Sequence, residues 1–264
     1  MKPRIGIIPG DPSGIGPELV AKLLNETDLI DGADILLIGD SHVFEAGQKV
    51  AGLQHKLRKV DAKNAEWRND TDLLDGFAWH EITSIRPDQV KNAQVTEAGG
   101  KSVLQSLDLA MDFAQSGIID AVIFAPFNKA SLHMAGMTQD DELHYMADYM
   151  GVSNYISELN TLDGMWTSRV TSHIALKDVA SKIDEERICE AIGLIDSTLR
   201  RSGMKRSRIS VAALNPHAGD GGNFGREEID IIEPAVQKMA AKQMCVDGPW
   251  PSDTVFLKAV AGDI

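Results

Sequence analysis

Short apolar runs rich in isoleucine and valine alternate along this chain with segments of helical periodicity. The segments 4–10, 33–40 and 208–216 are predicted to be strands, and 119–130 is predicted to be a strand that runs into a loop. Because strands and helices that alternate in this way build βαβ units, the pattern predicts an α/β fold around a parallel sheet. The polar stretch from 55 to 98 is less periodic, and no order of elements is predicted there.

The intervening helices carry start and stop signals. One begins near Pro17, a residue favoured in a first helical turn. The segment 184–203 has acidic residues at its start, basic residues at its end and a glycine stop. A helix over 226–244 is expected to bend or break near Pro234. Further helices are predicted over 99–117 and 140–151, and a further strand over 168–176.

Composition limits the classes of protein. The 264 residues suffice for one large domain or two lobes, and 43% hydrophobic and 25% charged residues are ordinary for a globular protein. A formal charge of -13 argues against nucleic-acid binding, which needs clustered cations. An anionic substrate would therefore require locally concentrated positive charge, a helix N-terminus or a metal.

The sequence has no pattern typical of a signal peptide or a membrane helix. The first apolar run is broken by glycine and proline, so it does not fit a signal peptide. No stretch approaches the ~20 apolar residues of a membrane helix. Cys189 lies inside a helical pattern and the only other cysteine is Cys245, which argues against a disulfide framework. We expect a cytoplasmic protein that binds neither membrane nor nucleic acid.

The stretch "NPHAGDGGNFGREEID" places His217 among glycines, directly after a predicted strand and ahead of a predicted helix. In parallel α/β sheets ligands bind at the carboxyl ends of strands. Glycines let the backbone approach a ligand closely, and the N–H groups before a helix favour anions. The alternative is a glycine turn whose histidine merely caps or packs. The loop position favours a functional site.

His173 lies near the end of the strand predicted over 168–176. A single strand histidine is more often a hydrogen-bonded core residue than a ligand. Together with His217, it offers the two neutral imidazoles with which many divalent metal sites begin. Two ligands are too few for a closed site, so a third ligand is expected from elsewhere.

Two other loops follow predicted strands. In "PGDPSGIGPE" the glycine spacing does not match a dinucleotide-binding fingerprint, but Asp11 stands at a carboxyl end where it is expected to face a crevice. Lys129 could meet an anionic substrate, transfer a proton, or simply be solvated. "AGGKSV" at 98–103 is predicted to be a first helical turn, since Val95 stands where a phosphate loop needs glycine.

These motifs together resemble the 4-hydroxythreonine-4-phosphate dehydrogenase family of pyridoxine biosynthesis. The resemblance extends over nearly the whole chain, in the order of that family. Its most specific parts are the loops "GDPSGIGPE" and "NPHAGDGG". The resembling segments are 9–18, 128–136, 168–180, 213–236 and 248–256.

The resemblance implies a two-lobed fold similar to isocitrate and isopropylmalate dehydrogenases. We expect a first α/β lobe over 1–134 and a second lobe over 135–264, the latter with the metal histidines and dimer contacts of a homodimer. The family continues beyond residue 264 with a third metal histidine and basic residues for a phosphate. The fold is therefore expected to be incomplete at its C-terminus, with the first lobe completed by those further residues.

The resemblance also implies the reaction. A β-hydroxy acid is oxidised by hydride transfer to NAD and then decarboxylated, while a divalent metal coordinates substrate oxygens. Zinc is favoured as that metal, with cobalt, manganese and magnesium as alternatives. The choice of NAD over NADP rests on the family alone. The residues assigned are His173 and His217 for the metal, Lys129 and Asp253 for catalysis, and Asp11 and Gly14 for the cofactor.

One segment departs from the family. Its substrate-contacting "GHTE" falls here on "DELH", so that Glu142 replaces a histidine and Leu143 a threonine. A changed substrate is therefore expected, with Glu142, Leu143, His144 and Asn215 as its binding residues. The alternatives are the pyridoxine enzyme itself, a dehydrogenase for cis-dihydrodiol carboxylates or four-carbon acid-sugar phosphates, and an inactive truncated paralogue that only binds a ligand or dimerises.

Overall fold

The structure, a computed structural model, describes residues 2–26, 30–64, 67, 76–162, 164–204 and 207–263. The chain forms two compact units that divide between Val152 and Ser153. The lobes expected from the sequence divided between residues 134 and 135. The helix predicted over 140–151 therefore belongs to unit 1 and not to unit 2.

Unit 1 is built on a parallel sheet. Within the described residues this sheet has five strands in the order β3-β4-β2-β1-β5, and all four pairings are parallel. The register places Ile5 of β1 beside Ile35 of β2 on one side and Ala121 of β5 on the other. The strands are β1 Arg4–Ile8, β2 Asp34–Gly39, β3 Leu57–Lys59, β4 Phe77–Glu81 and β5 Ala121–Phe124. The predicted α/β class with a parallel sheet is confirmed.

Three of the five helices described in unit 1 begin at a short polar side chain that caps them. Thr96 accepts a hydrogen bond from the Gly99 N–H at the start of α3, and Asn128 accepts one from the Ser131 N–H at the start of α4. Such caps satisfy donors that have no partner in a first helical turn. The helices are α1 Gly16–Leu23, α2 Ser41–Ala51, α3 Glu97–Gln115, α4 Lys129–Met134 and α5 Glu142–Tyr149.

Both faces of the sheet are covered by apolar side chains. Neighbouring residues of a strand point to opposite faces, so Ile8 and Ile7 of β1 enter different cores. On one face α3 packs through Leu107. On the other, Phe44 of α2 stacks on Trp79 of β4 with ring centroids 5.4 Å apart. Burial on both faces explains the continuous apolar runs seen in the sequence.

Unit 2 contains shorter sheets. Strand β8 (Ile209–Ala212) pairs in parallel with β9 (Val246–Trp250), and β6 (Asn160–Leu162) forms an antiparallel hairpin with β7 (Met165–Thr167). Ile192 of α6 is buried in a common core with Val236 and Met239 of α7. The helices are α6 Glu185–Arg201, α7 Glu233–Ala241 and α8 Val255–Ala261.

Two details of unit 2 bear on the predictions. The strand predicted over 168–176 is wrong, because these residues are irregular and His173 has a φ of 54°, which no strand accommodates. The interruption expected near Pro234 is confirmed, since a π-helical turn at Glu228–Ile232 precedes α7. None of the described helices combines the length and apolar character that a membrane crossing demands.

Candidate functional site

The candidate metal loop follows β8 and has an unusual backbone. Every residue from His217 to Gly222 has a positive φ. This conformation suits glycine, but His217, Ala218 and Asp220 also adopt it, at a cost of about 1 kcal/mol for each side chain. A run of this kind persists only where surrounding contacts stabilise it, and such strain is commonest at functional sites.

The contacts that stabilise the His217 loop come chiefly from Glu228, whose side chain is buried at 2% exposure. Its Oε1 accepts hydrogen bonds from the main-chain N–H groups of Leu214 at 2.8 Å and Asn215 at 2.6 Å. Its Oε2 accepts one from Nδ2 of Asn215 at 2.9 Å. Burial alone would raise the pKa of Glu228, but the hydrogen bonds from Asn215 and Leu214 outweigh burial and lower this pKa. Glu228 is therefore an ionised clamp at the base of the loop.

The glycines of the loop fit against this clamp. A Cβ at Gly219 would lie 2.8 Å from Oε2 of Glu228, and one at Gly225 would lie 2.4 Å from Nδ2 of Asn215. A Cβ at Gly221 would meet nothing within 4 Å. Two of the glycines thus serve the packing of the loop itself, which the sequence did not reveal.

The His217 side chain is exposed at the surface of unit 2. Its ring lies 6.2 Å from that of Phe224, centroid to centroid, in a tilted arrangement. His173 is exposed as well and has the same left-handed φ of 54°. Ser172 Oγ lies 3.0 Å from Nδ1 of His173, which leaves Nε2 as the nitrogen available to a ligand.

The two histidines suit a divalent metal in their chemistry, since imidazole nitrogens bind zinc, cobalt and manganese. They supply two ligands. Within the part of the chain that the structure describes, no group of three His, Cys, Asp or Glu residues is arranged to hold a metal. The remaining ligands would therefore be substrate oxygens, water or residues outside this set.

Asp253 lies in the turn before α8 and is exposed. The neighbouring Ser252 donates a hydrogen bond to the carbonyl of Ala213, just beyond β8. Asp253 thus directly follows a residue that is hydrogen-bonded to the end of the strand from which the His217 loop starts. Its catalytic role stays a prediction.

In unit 1, Asp11 follows β1 but is 4% exposed. It was expected to face a crevice; instead its Oδ1 accepts the Ser13 N–H at 2.8 Å and its own N–H donates to Pro126 O at 3.1 Å. Burial raises the pKa of this carboxyl group. Exposed Gly14 donates its N–H to Asp11 O at 3.0 Å. The carboxylate holds the loop, and its role in cofactor binding stays a prediction.

Lys129 is the first residue of α4 and is exposed. Asp141 caps α5, where it accepts the His144 N–H at 2.9 Å and lies 2.6 Å from Nδ1 of His144. Glu142 and Leu143 occupy the first turn of α5 and are partly buried. Burial opposes ionisation of Asp141, but its contacts with His144 prevail and lower its pKa.

Helix α5 is joined to α3 by contacts that the sequence analysis missed. The Tyr145 hydroxyl donates to Asp108 of α3 at 2.7 Å, and the Tyr149 hydroxyl donates to Asp112 at 3.0 Å. The two tyrosines are four residues apart on α5 and the two aspartates four apart on α3, which is about one helical turn in each case. That spacing on both helices was the available signal.

Taken together, the parallel sheet and the strained histidine loop after β8 define an α/β protein with a candidate ligand site on its loops. The family model for pyridoxal phosphate biosynthetic protein PdxA matches residues 31–264. The chain belongs to the PdxA family.

Individual relatives agree with this family. The chain is 47% identical over 262 residues to "Putative 4-hydroxythreonine-4-phosphate dehydrogenase 2" of Pseudomonas aeruginosa, which covers 99% of this chain and 76% of the relative. It is 34% identical over 261 residues to the D-threonate 4-phosphate dehydrogenase of Salmonella typhimurium, covering 98% and 77%. The crystal structure of a 4-hydroxythreonine-4-phosphate dehydrogenase from Klebsiella pneumoniae superposes with a TM-score of 0.87 at 30% identity, over 100% of this chain and 78% of that one.

Proposed function

We propose that this protein is an NAD-dependent, divalent-metal-dependent dehydrogenase of β-hydroxy acids. In this reaction the hydroxyl-bearing carbon gives a hydride to NAD, the hydroxyl proton is released, and the β-keto acid then loses its carboxylate as CO₂. The observation that carries the proposal is that both predicted metal histidines, His173 and His217, are exposed and stand on left-handed backbone. Homology to proteins named as dehydrogenases supports the redox chemistry.

His173 and His217 would hold the metal through their imidazole nitrogens. When bound, a divalent cation supplies Lewis acidity to the hydroxyl and carboxylate oxygens of the substrate. The NPHAGDGG loop holds His217 toward solvent, so that a substrate oxygen can reach the same cation. Asn215 is proposed to contact substrate, although its Nδ2 is already engaged by Glu227 at 2.7 Å.

Lys129 and Asp253 are proposed as the acid–base groups. Both are exposed, so each can meet a polar substrate without first leaving a core. A lysine ammonium can pair with a substrate carboxylate or give up a proton to a developing enolate, and a carboxylate can accept the hydroxyl proton. Asp11 and Gly14, in the loop after β1, are proposed to contact NAD, and we propose that the protein acts as a homodimer in the cytoplasm.

The substrate is proposed to differ from 4-hydroxythreonine 4-phosphate. Leu143 offers no hydrogen-bonding group, and the His144 ring is already paired with Asp141. Glu142 adds negative charge to the same turn, which disfavours a phosphate unless a cation compensates it. The relative named D-threonate 4-phosphate dehydrogenase supports the four-carbon acid-sugar phosphates as a substrate class, for which a cation would have to offset the charge of Glu142.

The test is NADH formation by the purified protein with added zinc, cobalt, manganese or magnesium. The panel contains 4-hydroxythreonine 4-phosphate, D-threonate 4-phosphate and a cis-dihydrodiol carboxylate, each with NAD and with NADP. We expect metal-dependent NADH and CO₂ in equal amounts from one class. Metal binding without turnover of any β-hydroxy acid would contradict the proposal and favour a ligand-binding paralogue.

A further inference from the structure

Glu228 is a buried, ionised side chain to which the proposed chemistry gives no role. It lies at the start of the π-helical turn that precedes α7, and it is surrounded by donors from the loop after β8. A buried carboxylate is costly unless several donors satisfy it. Here the main chain of Leu214 and Asn215 and the side-chain amide of Asn215 do so.

The residues that Glu228 binds lie immediately before His217. Because Leu214 and Asn215 are fixed at both main-chain N–H groups, the chain enters the left-handed run from one defined direction. Gly219, within that run, is also in close packing with Oε2 of Glu228, as its virtual Cβ at 2.8 Å shows. The carboxylate therefore touches the loop on both sides of His217.

We propose that Glu228 is a positioning residue that holds the strained loop and thereby fixes the direction of the His217 imidazole. The proposal rests on the proposed function as far as a metal at His217 is concerned. The contacts between Glu228 and the loop do not depend on that function. Only a carboxylate fits this role: its two oxygens accept three donors at once. A glutamine would present an amide N–H₂ group toward Nδ2 of Asn215, and donor would then face donor.

The test compares Glu228→Gln with Glu227→Gln. Glu227 is the adjacent residue of the same type, and its Oε2 accepts a hydrogen bond from the Asn215 side chain at 2.7 Å. Two readouts are taken on the metal-free protein: amide hydrogen exchange in peptides covering 213–226, and the Zn²⁺ dissociation constant by titration calorimetry. Gly219→Ala disturbs the same contact from the loop side and serves if Glu228→Gln does not fold.

For Glu228→Gln or Gly219→Ala we expect faster loop exchange and Zn²⁺ affinity about tenfold weaker or more, the usual effect of losing a residue that orients a ligand. Glu227→Gln should stay within about twofold of the parent in both readouts. Unchanged loop exchange in Glu228→Gln would overturn the proposal. So would faster exchange with unchanged Zn²⁺ affinity, since Glu228 would then serve stability alone.

A parent protein that binds no Zn²⁺ would contradict the proposed function. Hydrogen exchange tests separately whether Glu228 holds the loop: protection of 213–226 that is lost in Glu228→Gln and kept in Glu227→Gln shows this without any metal, and protection that is unchanged in Glu228→Gln overturns the positioning role whether or not Zn²⁺ binds. Failure of the proposed metal-dependent function and failure of the positioning role of Glu228 therefore give different results.

Discussion

The Tyr145 hydroxyl donates a 2.7 Å hydrogen bond to the carboxylate of Asp108, and this contact joins α5 to α3. Burial raises the pKa of Asp108 even though the hydrogen bond from Tyr145 opposes that rise. The bond holds the helix whose first turn contains Glu142 and His144. The predicted substrate segment is therefore fixed to the largest helix of unit 1.

Tyr145→Phe is expected to destabilise unit 1. Loss of the hydroxyl leaves the half-buried Asp108 carboxylate without this donor, at a cost of about 1–2 kcal/mol in the free energy of unfolding. Tyr149→Phe is the matched control, because its partner Asp112 is exposed and water can replace the lost bond. Urea denaturation of both variants measures the difference. Equal losses would show that burial of Asp108 is unimportant.

Asp11→Asn should change the dependence of stability on pH. Because burial raises the pKa of Asp11 above its unfolded value, the folded protein binds this proton more tightly, and stability falls as pH rises from the unfolded toward the folded pKa. Asparagine lacks this titration. The variant should gain stability relative to the parent as the pH is raised from acid to neutral.

The same variant examines the predicted cofactor role of Asp11. We expect its kcat/KM for NAD to fall while its stability at neutral pH rises, as is common where a functional site carries a buried charge. Denaturation at several pH values, together with steady-state kinetics, gives both quantities. If the free energy of unfolding changed with pH in the same way in parent and variant, the inference that burial raises the pKa of Asp11 would be contradicted.

Gly47→Ala and Gly193→Ala should have opposite effects. A Cβ at Gly47 of α2 would lie 2.4 Å from the backbone carbon of Pro17, so the added methyl group must separate α2 from α1, at a cost of about 1–3 kcal/mol or more. A Cβ at Gly193 of α6 meets nothing within 4 Å, and alanine there should add about 0.5–1 kcal/mol. Thermal unfolding measures both. A stabilised Gly47→Ala protein would contradict the close helix contact.

The sequence predicts those parts of the fold that are buried on both sides. Strands β1 and β2 were predicted because their neighbours in the sheet and the helices on its faces select apolar residues at nearly every position. Strand β5 was predicted from an apolar run as well, although Ile123 and Phe124 in it are exposed. Strand β4 was missed: it ends in His80 and Glu81, and its polar tail hides the apolar start. Strand β3 has only three residues, too few for a period to emerge.

The candidate site was predictable only in outline. The position of His217 follows from the rule that ligands bind at the ends of parallel strands. The left-handed backbone of its loop was not predictable, because alanine and aspartate, which stand at 218 and 220, seldom adopt that conformation. The Glu228 clamp was missed because a glutamate at a helix start is fully explained by the helix dipole, and only the folded loop brings Leu214 to it.

The central claim is that His173 and His217 bind one divalent cation, and metal stoichiometry after equilibrium dialysis against Zn²⁺ tests it most directly. The parent should retain one cation per chain. His217→Ala and His173→Ala should each retain little metal and lose turnover, with circular dichroism unchanged, whereas His133→Ala, which removes a histidine bonded to Met137 O at 2.9 Å in unit 1, should match the parent. Undiminished stoichiometry and normal turnover in His217→Ala would contradict the account.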